Sequence, residues 1–178
     1  LAVSDRRGLF ETFIPEAQRR PTLGANIDPQ TILSRTGDLQ RGKLIFFSDG
    51  ARCRACHEID DPGQSVGPTL QEINKKYPRL RDLLQHVLQP SLKIEDAFAA
   101  FAVLTADGRA ISGLMIEQNG QQITLKSADK KLVTLSRNDI AQLQKSPQSL
   151  MPDRIISDLT AQEASDLFAY IQGIGSAP

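Results

Sequence analysis

The two cysteines of this chain fall in one pentapeptide, Cys53-Arg54-Ala55-Cys56-His57. No other feature restricts the fold as much. A Cys-x-x-Cys pair invites three readings: a redox couple, half of a metal site, or the attachment point of a large group. A thioredoxin-type couple expects a strand–turn–helix setting, and the preceding Phe46-Phe47-Ser48-Asp49-Gly50-Ala51-Arg52 offers none. A structural zinc site needs four ligands, and the only other His in the 178 residues is His86. His86 sits off the apolar stripe Leu80, Leu83, Leu84, Val87, Leu88 of a helix expected at 78–89, with Pro78 at its first position, so it reads as a solvated surface residue.

What remains is the His that directly follows the second Cys, which makes the motif the c-type haem attachment signature. Two thiols one helical turn apart add their S–H bonds across the two vinyl groups on one porphyrin edge. The adjacent His57 then presents its imidazole to the iron. Cys53, Cys56 and His57 are therefore the expected anchoring and proximal residues of one covalent haem c.

Electron-transfer haems usually take a second axial ligand, and a Met in that position raises the potential. The chain has two Met. Met115 lies in Ile111-Ser112-Gly113-Leu114-Met115-Ile116-Glu117, which reads as a strand, where Met is core filler. Met151 lies in Ser149-Leu150-Met151-Pro152, where Pro152 keeps it out of a helix. Met151 is the expected distal ligand. By residue type and rough position, Tyr77, Arg79 and Arg137 are candidate propionate donors, Tyr77 foremost.

With these residues assembled, the chain resembles a class I cytochrome c. Gly42 and Phe46, four apart, are similar to the family's N-terminal helix; Leu167 and Tyr170, three apart, to its C-terminal helix. The resemblance implies that these two helices cross. Gly67-Pro68-Thr69-Leu70 is similar to the family's segment after the haem motif, which implies that the Pro68 carbonyl accepts the proximal imidazole N–H. More narrowly, residues 37–173 resemble the C-terminal haem-binding module of large secreted dehydrogenase-like proteins of Planctomycetes and Verrucomicrobia. The shared features are Gly37-Asp38, Arg41-Gly42-Lys43, Val66-Gly67-Pro68, Gln89-Pro90-Ser91, Asp107-Gly108-Arg109 with Gly113, Ser149-Leu150-Met151-Pro152, Leu159-Thr160 and Ala169-Tyr170. That likeness implies a dehydrogenase as electron donor, upstream or in trans.

Small cytochromes of this class are all-α, but residues 98–105, 110–117, 122–127 and 132–136 are short, apolar and β-branched. Asp107-Gly108 and Asn119-Gly120 read as two-residue hairpin turns that need φ > 0, and Asp129-Lys130-Lys131 turns the third pair. The expected fold is mainly α with an inserted four-stranded antiparallel meander or small barrel at about residues 97–140, α+β overall. The insertion also accounts for the long interval between His57 and Met151. Its expected role is cover for a haem edge, the alternative being a docking or homodimer surface.

Residues 1–36 read as an arm or linker before the haem domain at 37–178, with Asp28-Pro29 capping a short helix. Arg6-Arg7 and Arg19-Arg20 read as a solvated face. Thr160-Ala161-Gln162-Glu163 is a capping box for a C-terminal helix whose inward face is Ala164, Leu167, Phe168 and Ile171, with Gly173 ending it. Composition narrows the function. Lys+Arg and Asp+Glu balance at 21 each, which gives no electrostatic footprint for nucleic acid. No apolar run approaches the roughly 20 residues of a transmembrane helix. Leu1, with no basic and apolar leader before it, reads as the start of a mature form or a fragment.

The function expected is single-electron carriage between redox proteins, not enzymatic turnover, in a periplasmic or extracytoplasmic compartment. The alternatives are a five-coordinate haem sensor or peroxidase-like enzyme, and a structural haem module used for docking.

Overall fold

The computed structural model describes residues 13–15, 18–48, 51–57, 59 and 65–175. The pair Arg6-Arg7 and much of the expected arm before residue 18 lie outside the described residues. The described residues hold six α-helices: α1 (Pro29–Leu33), α2 (Leu39–Phe46), α3 (Cys53–Cys56), α4 (Ile73–Lys76), α5 (Leu80–Leu88) and α6 (Ala161–Gly173). They also hold five strands: β1 (Ala100–Thr105), β2 (Ala110–Gln118), β3 (Gln122–Lys126), β4 (Leu132–Ser136) and β5 (Ile140–Lys145). The described residues are therefore mixed α+β, as expected overall, with more strand than a mainly α fold would carry. The chain divides into two compact units, one of residues 1–53, 73–85 and 154–178, the other of 54–72 and 86–153.

The first unit is organised by α2 and α6. Asp38 caps α2 by accepting from Arg41 N, and the Thr160/Glu163 capping box starts α6. Both ends thus satisfy N–H groups that a helix leaves unpaired. The helices cross where α2 has no side chain. A Cβ built on Gly42 would stand 1.9 Å from the Asp166 carbonyl oxygen and 2.9 Å from Tyr170 Cβ. Phe46 packs edge-on to Tyr170 at 5.4 Å between ring centroids. Phe46, Leu84, Leu167 and Phe168 are fully buried here.

Asp166 was not foreseen as part of this core. Its carboxylate is buried and accepts from Asp38 N at 2.8 Å, Arg41 Nε at 2.6 Å, Arg41 Nη2 at 2.9 Å and Gln162 Nε2 at 2.9 Å. Burial pushes the Asp166 carboxyl up, but Arg41, the Asp38 N–H and Gln162 outweigh it and hold it below the usual range. Gly173 is the last residue of α6 rather than its cap, and Leu39 Cδ1 would lie 2.7 Å from a Cβ there. Gly175 takes the left-handed conformation beyond the helix instead.

The arm before α1 is tied down. Thr22 bridges Thr160, Leu23 N donates to Leu159 O at 2.8 Å, and Gly24 N donates to Ser157 O at 2.9 Å. Arg20 is not simply solvated: it pairs with Glu163 at 2.8 Å and donates to Asp158 O. Asp28 caps α1 through Gln30 N.

The second unit carries the sheet, in the order β4-β3-β2-β1-β5, all neighbours antiparallel. The expected four strands are joined by a fifth. β4 and β5 stand at opposite ends of this order, yet only a 3-10 turn, Arg137–Asp139, connects them. Four inter-strand gaps in a flat sheet span about 19 Å, whereas three residues of 3-10 helix rise about 6 Å. The sheet must therefore curl so that its ends approach. Val103, Ile123, Leu125 and Leu135 fill its core, with Met115 packed against them.

The turns differ from expectation. Thr105 N donates to Arg109 O, Gly108 N to Thr105 O, and only Gly108 takes a positive φ, so this is a four-residue connection. The turn at Ser127–Lys131 repeats the pattern with Lys130 in the positive-φ place. At Asn119-Gly120 no residue takes a positive φ. The Asn119 carboxamide oxygen accepts from Gln121 N and Gln122 N at 2.9 Å each and does the turning itself.

Candidate functional site

The site is built from a short helix and the loop that closes over its C-terminal residue. Arg52 takes a positive φ of 52° beside fully buried Ala51, and this left-handed residue turns the chain into α3. A single turn then separates Cys53 from Cys56, and His57 follows directly. Neither thiol is in a disulfide, and both are half-buried. Burial pushes the Cys56 thiol up, with the Lys130 ammonium acting against it.

Residues 65–68 return to this helix end. Val66 N and Gly67 N both donate to the Cys56 carbonyl, at 3.2 and 3.0 Å. His57 Nδ1 donates to the Pro68 carbonyl at 2.8 Å. A carbonyl only accepts, so this contact fixes the proton on Nδ1 and leaves the lone pair on Nε2. Burial lowers the His57 pKa, partly offset by the Pro68 bond, which keeps the ring neutral as a metal ligand requires.

Gly67 lies against the imidazole. A Cβ there would stand 2.5 Å from Cε1, 2.8 Å from Nδ1 and 3.0 Å from Nε2 of His57. Only a residue without a side chain lets the loop approach this closely. Nothing in the spacing of Gly67 marks this contact; the adjacent Pro68 is the one local signal. These residues fit a haem c: two unbridged thiols one turn apart for the vinyl groups, and for the iron a neutral imidazole whose Nδ1–H is held by a carbonyl.

The other expected residues are placed by separate contacts. Met151 is half-buried, its N–H donating to Ser149 Oγ at 3.1 Å, while Ser149 N donates to Ser91 Oγ at 3.1 Å. That pins the 149–151 loop to the segment after α5. Tyr77 is half-buried; its N–H donates to Ile73 O at 2.7 Å, and Lys76 Nζ lies 5.5 Å from its ring centroid. Arg79 is paired with Asp82 at 2.7 Å, and Arg137 Nε donates to Asn119 O at 3.2 Å. His86 is half-buried in the last turn of α5 rather than solvated. Pro78 stands just before α5, not inside it.

A family model described as Cytochrome c matches residues 39–175. The chain belongs to the cytochrome c family. The match runs from α2 through α6, so it takes in both the helix crossing and the sheet. No match was found among curated proteins. This cytochrome c is a haem-containing electron-transfer protein. Among the described residues no helix is long and apolar enough to cross a membrane.

Proposed function

We propose that this cytochrome c carries one electron at a time on a single haem c, joined to Cys53 and Cys56 by thioether bonds. Each bond forms when a thiol S–H adds across a vinyl group, with nothing released. His57 Nε2 is the proximal ligand and Met151 sulfur the distal one. The haem supplies the one-electron couple; the chain supplies the ligands, a carbonyl on the imidazole and a shell of apolar side chains.

The observation that carries this reading is the His57–Pro68 bond beneath the close approach of Gly67. It orients one neutral imidazole beside two thiols one turn apart. The donor we propose is a dehydrogenase, as a neighbouring domain or a separate protein, in an extracytoplasmic compartment where covalent haem attachment takes place.

The test is the full chain matured with haem. Mass measurement after denaturation should show one haem retained by the polypeptide, and Cys53→Ala with Cys56→Ala should abolish retention. The oxidised protein should show the red-region Met-to-iron charge-transfer band. Met151→Ala should remove it, and persistence of the band in that variant would exclude Met151. A reduced protein that binds CO rapidly without displacing a ligand would favour the five-coordinate alternative.

A further inference from the structure

A buried lysine of the sheet reaches the haem-motif loop. Lys126 closes β3, and only 9% of its surface is exposed. Lysine is rarely buried to this degree without a partner. Here Nζ donates to the Ser65 carbonyl at 3.1 Å.

Ser65 begins the run that holds His57. The next two N–H groups, of Val66 and Gly67, bind the Cys56 carbonyl, and the Pro68 carbonyl takes the His57 Nδ1–H. The run is thus gripped at one end by the sheet and at the other by the helix that carries the proximal imidazole. The backbone under the lysine is also packed tightly. A Cβ on Gly113 of β2 would stand 2.6 Å from the Lys126 carbonyl oxygen, so β2 and β3 are in close backbone contact at Lys126.

We infer that Lys126 is a positioning residue: it fixes residues 65–68, and through them the His57 imidazole, while bringing an ammonium charge to the proximal side. The sheet is then part of the electron-transfer apparatus, not only cover for a haem edge. Two effects follow. A looser loop lets the Pro68 carbonyl drift and alters the basicity of the imidazole. Removal of a buried positive charge disfavours the reduced iron, which carries one positive charge less than the oxidised iron.

This rests on the haem reading of the site, and the experiment separates the two. Lys126→Met keeps the length of the side chain and removes both the donor and the charge. In the haem-loaded full chain, the reduced-to-oxidised ratio at fixed ambient potential should fall about threefold or more. In the same variant, amide exchange at Val66 and Gly67 should accelerate about tenfold. Lys126→Gln, neutral but still a donor, should lower the ratio and leave exchange within about twofold of the parent. Where Lys126→Met does not accumulate as folded protein, the ratio in Lys126→Gln decides. A parent chain without attached haem refutes the haem reading. A loaded parent whose Lys126→Met variant keeps both ratio and exchange, or whose Lys126→Gln variant keeps the ratio, refutes the role of Lys126.

Discussion

Replacing Gly42 by Ala opposes two effects of different sign at one position. In an exposed helix interior, Gly→Ala stabilises by about 1 kcal/mol through backbone entropy. At Gly42 the new methyl would stand 1.9 Å from the Asp166 carbonyl oxygen and 2.5 Å from its carbon. A tolerable carbon–oxygen contact is about 3.3 Å, so α2 and α6 must part by roughly 1.4 Å. Neither neighbour is the tip of a flexible side chain; both are helix backbone. Parting stretches the Arg41–Asp166 bonds of 2.6 and 2.9 Å and opens the Phe46–Tyr170 contact. A gap of this size forfeits half or more of the dispersion energy along the seam. Overpacking of this kind costs about 1–3 kcal/mol; with the lost contacts and the entropic gain, the net loss is about 2–4 kcal/mol. Set against a typical total of about 5–15 kcal/mol, that is a large share. With an m-value of about 2 kcal/mol/M, the urea midpoint should fall by about 1–2 M. Gly120, with nothing within 4 Å of its would-be Cβ and no positive φ, is the control, and Gly120→Ala should be neutral or slightly stabilising. An unchanged or raised midpoint in Gly42→Ala would mean that propensity rules and that the crossing is not as close as described.

Gly67→Ala should disturb the site rather than the global fold. The methyl would overlap a ring held by Pro68, costing about 2–3 kcal/mol in overpacking and a weakened hydrogen bond. The His57 Nδ1–H resonance should shift or broaden, and an unperturbed signal would count against the contact. Asp166→Ala should destabilise by about 3 kcal/mol at neutral pH, since it strands the Asp38 N–H and loses two Arg41 bonds. Because the folded-state pKa of Asp166 lies below its unfolded value, its stabilisation is present above the ordinary carboxylate pKa and fades as pH falls through the folded value. The gap between parent and variant should therefore shrink as pH falls below the ordinary carboxylate pKa, and a gap that holds constant in acid would show that charge is not its source.

How legible was this protein in its sequence? The haem motif was plain, because Cys-x-x-Cys-His is contiguous and its chemistry depends on one helical turn. The capping of α1 and α6 was equally local, since Asp28, Thr160 and Glu163 act on N–H groups two or three residues away. Strands β1 to β4 followed from composition to within two residues at each end. β5 did not. Its inward residues Ile140 and Leu143 are three apart, and the pairing accommodates this with a register shift between Leu104 and Thr105 that breaks strict alternation.

The sequence by itself determined what chemistry is present: two thiols, one adjacent imidazole, a short list of Met, and the family they belong to. The tertiary structure alone decided which backbones touch. Gly42 and Gly67 look alike as letters, yet each is required by a different neighbour: a helix carbonyl and an imidazole. Nothing local marks Asp166 or Lys126, and folding buried both against partners more than a hundred and more than sixty residues away in the chain, respectively. Local signals are encoded within a few bonds of the residues that make them. Close approach depends on where distant segments end up, and no stretch of sequence holds both sides of such a contact.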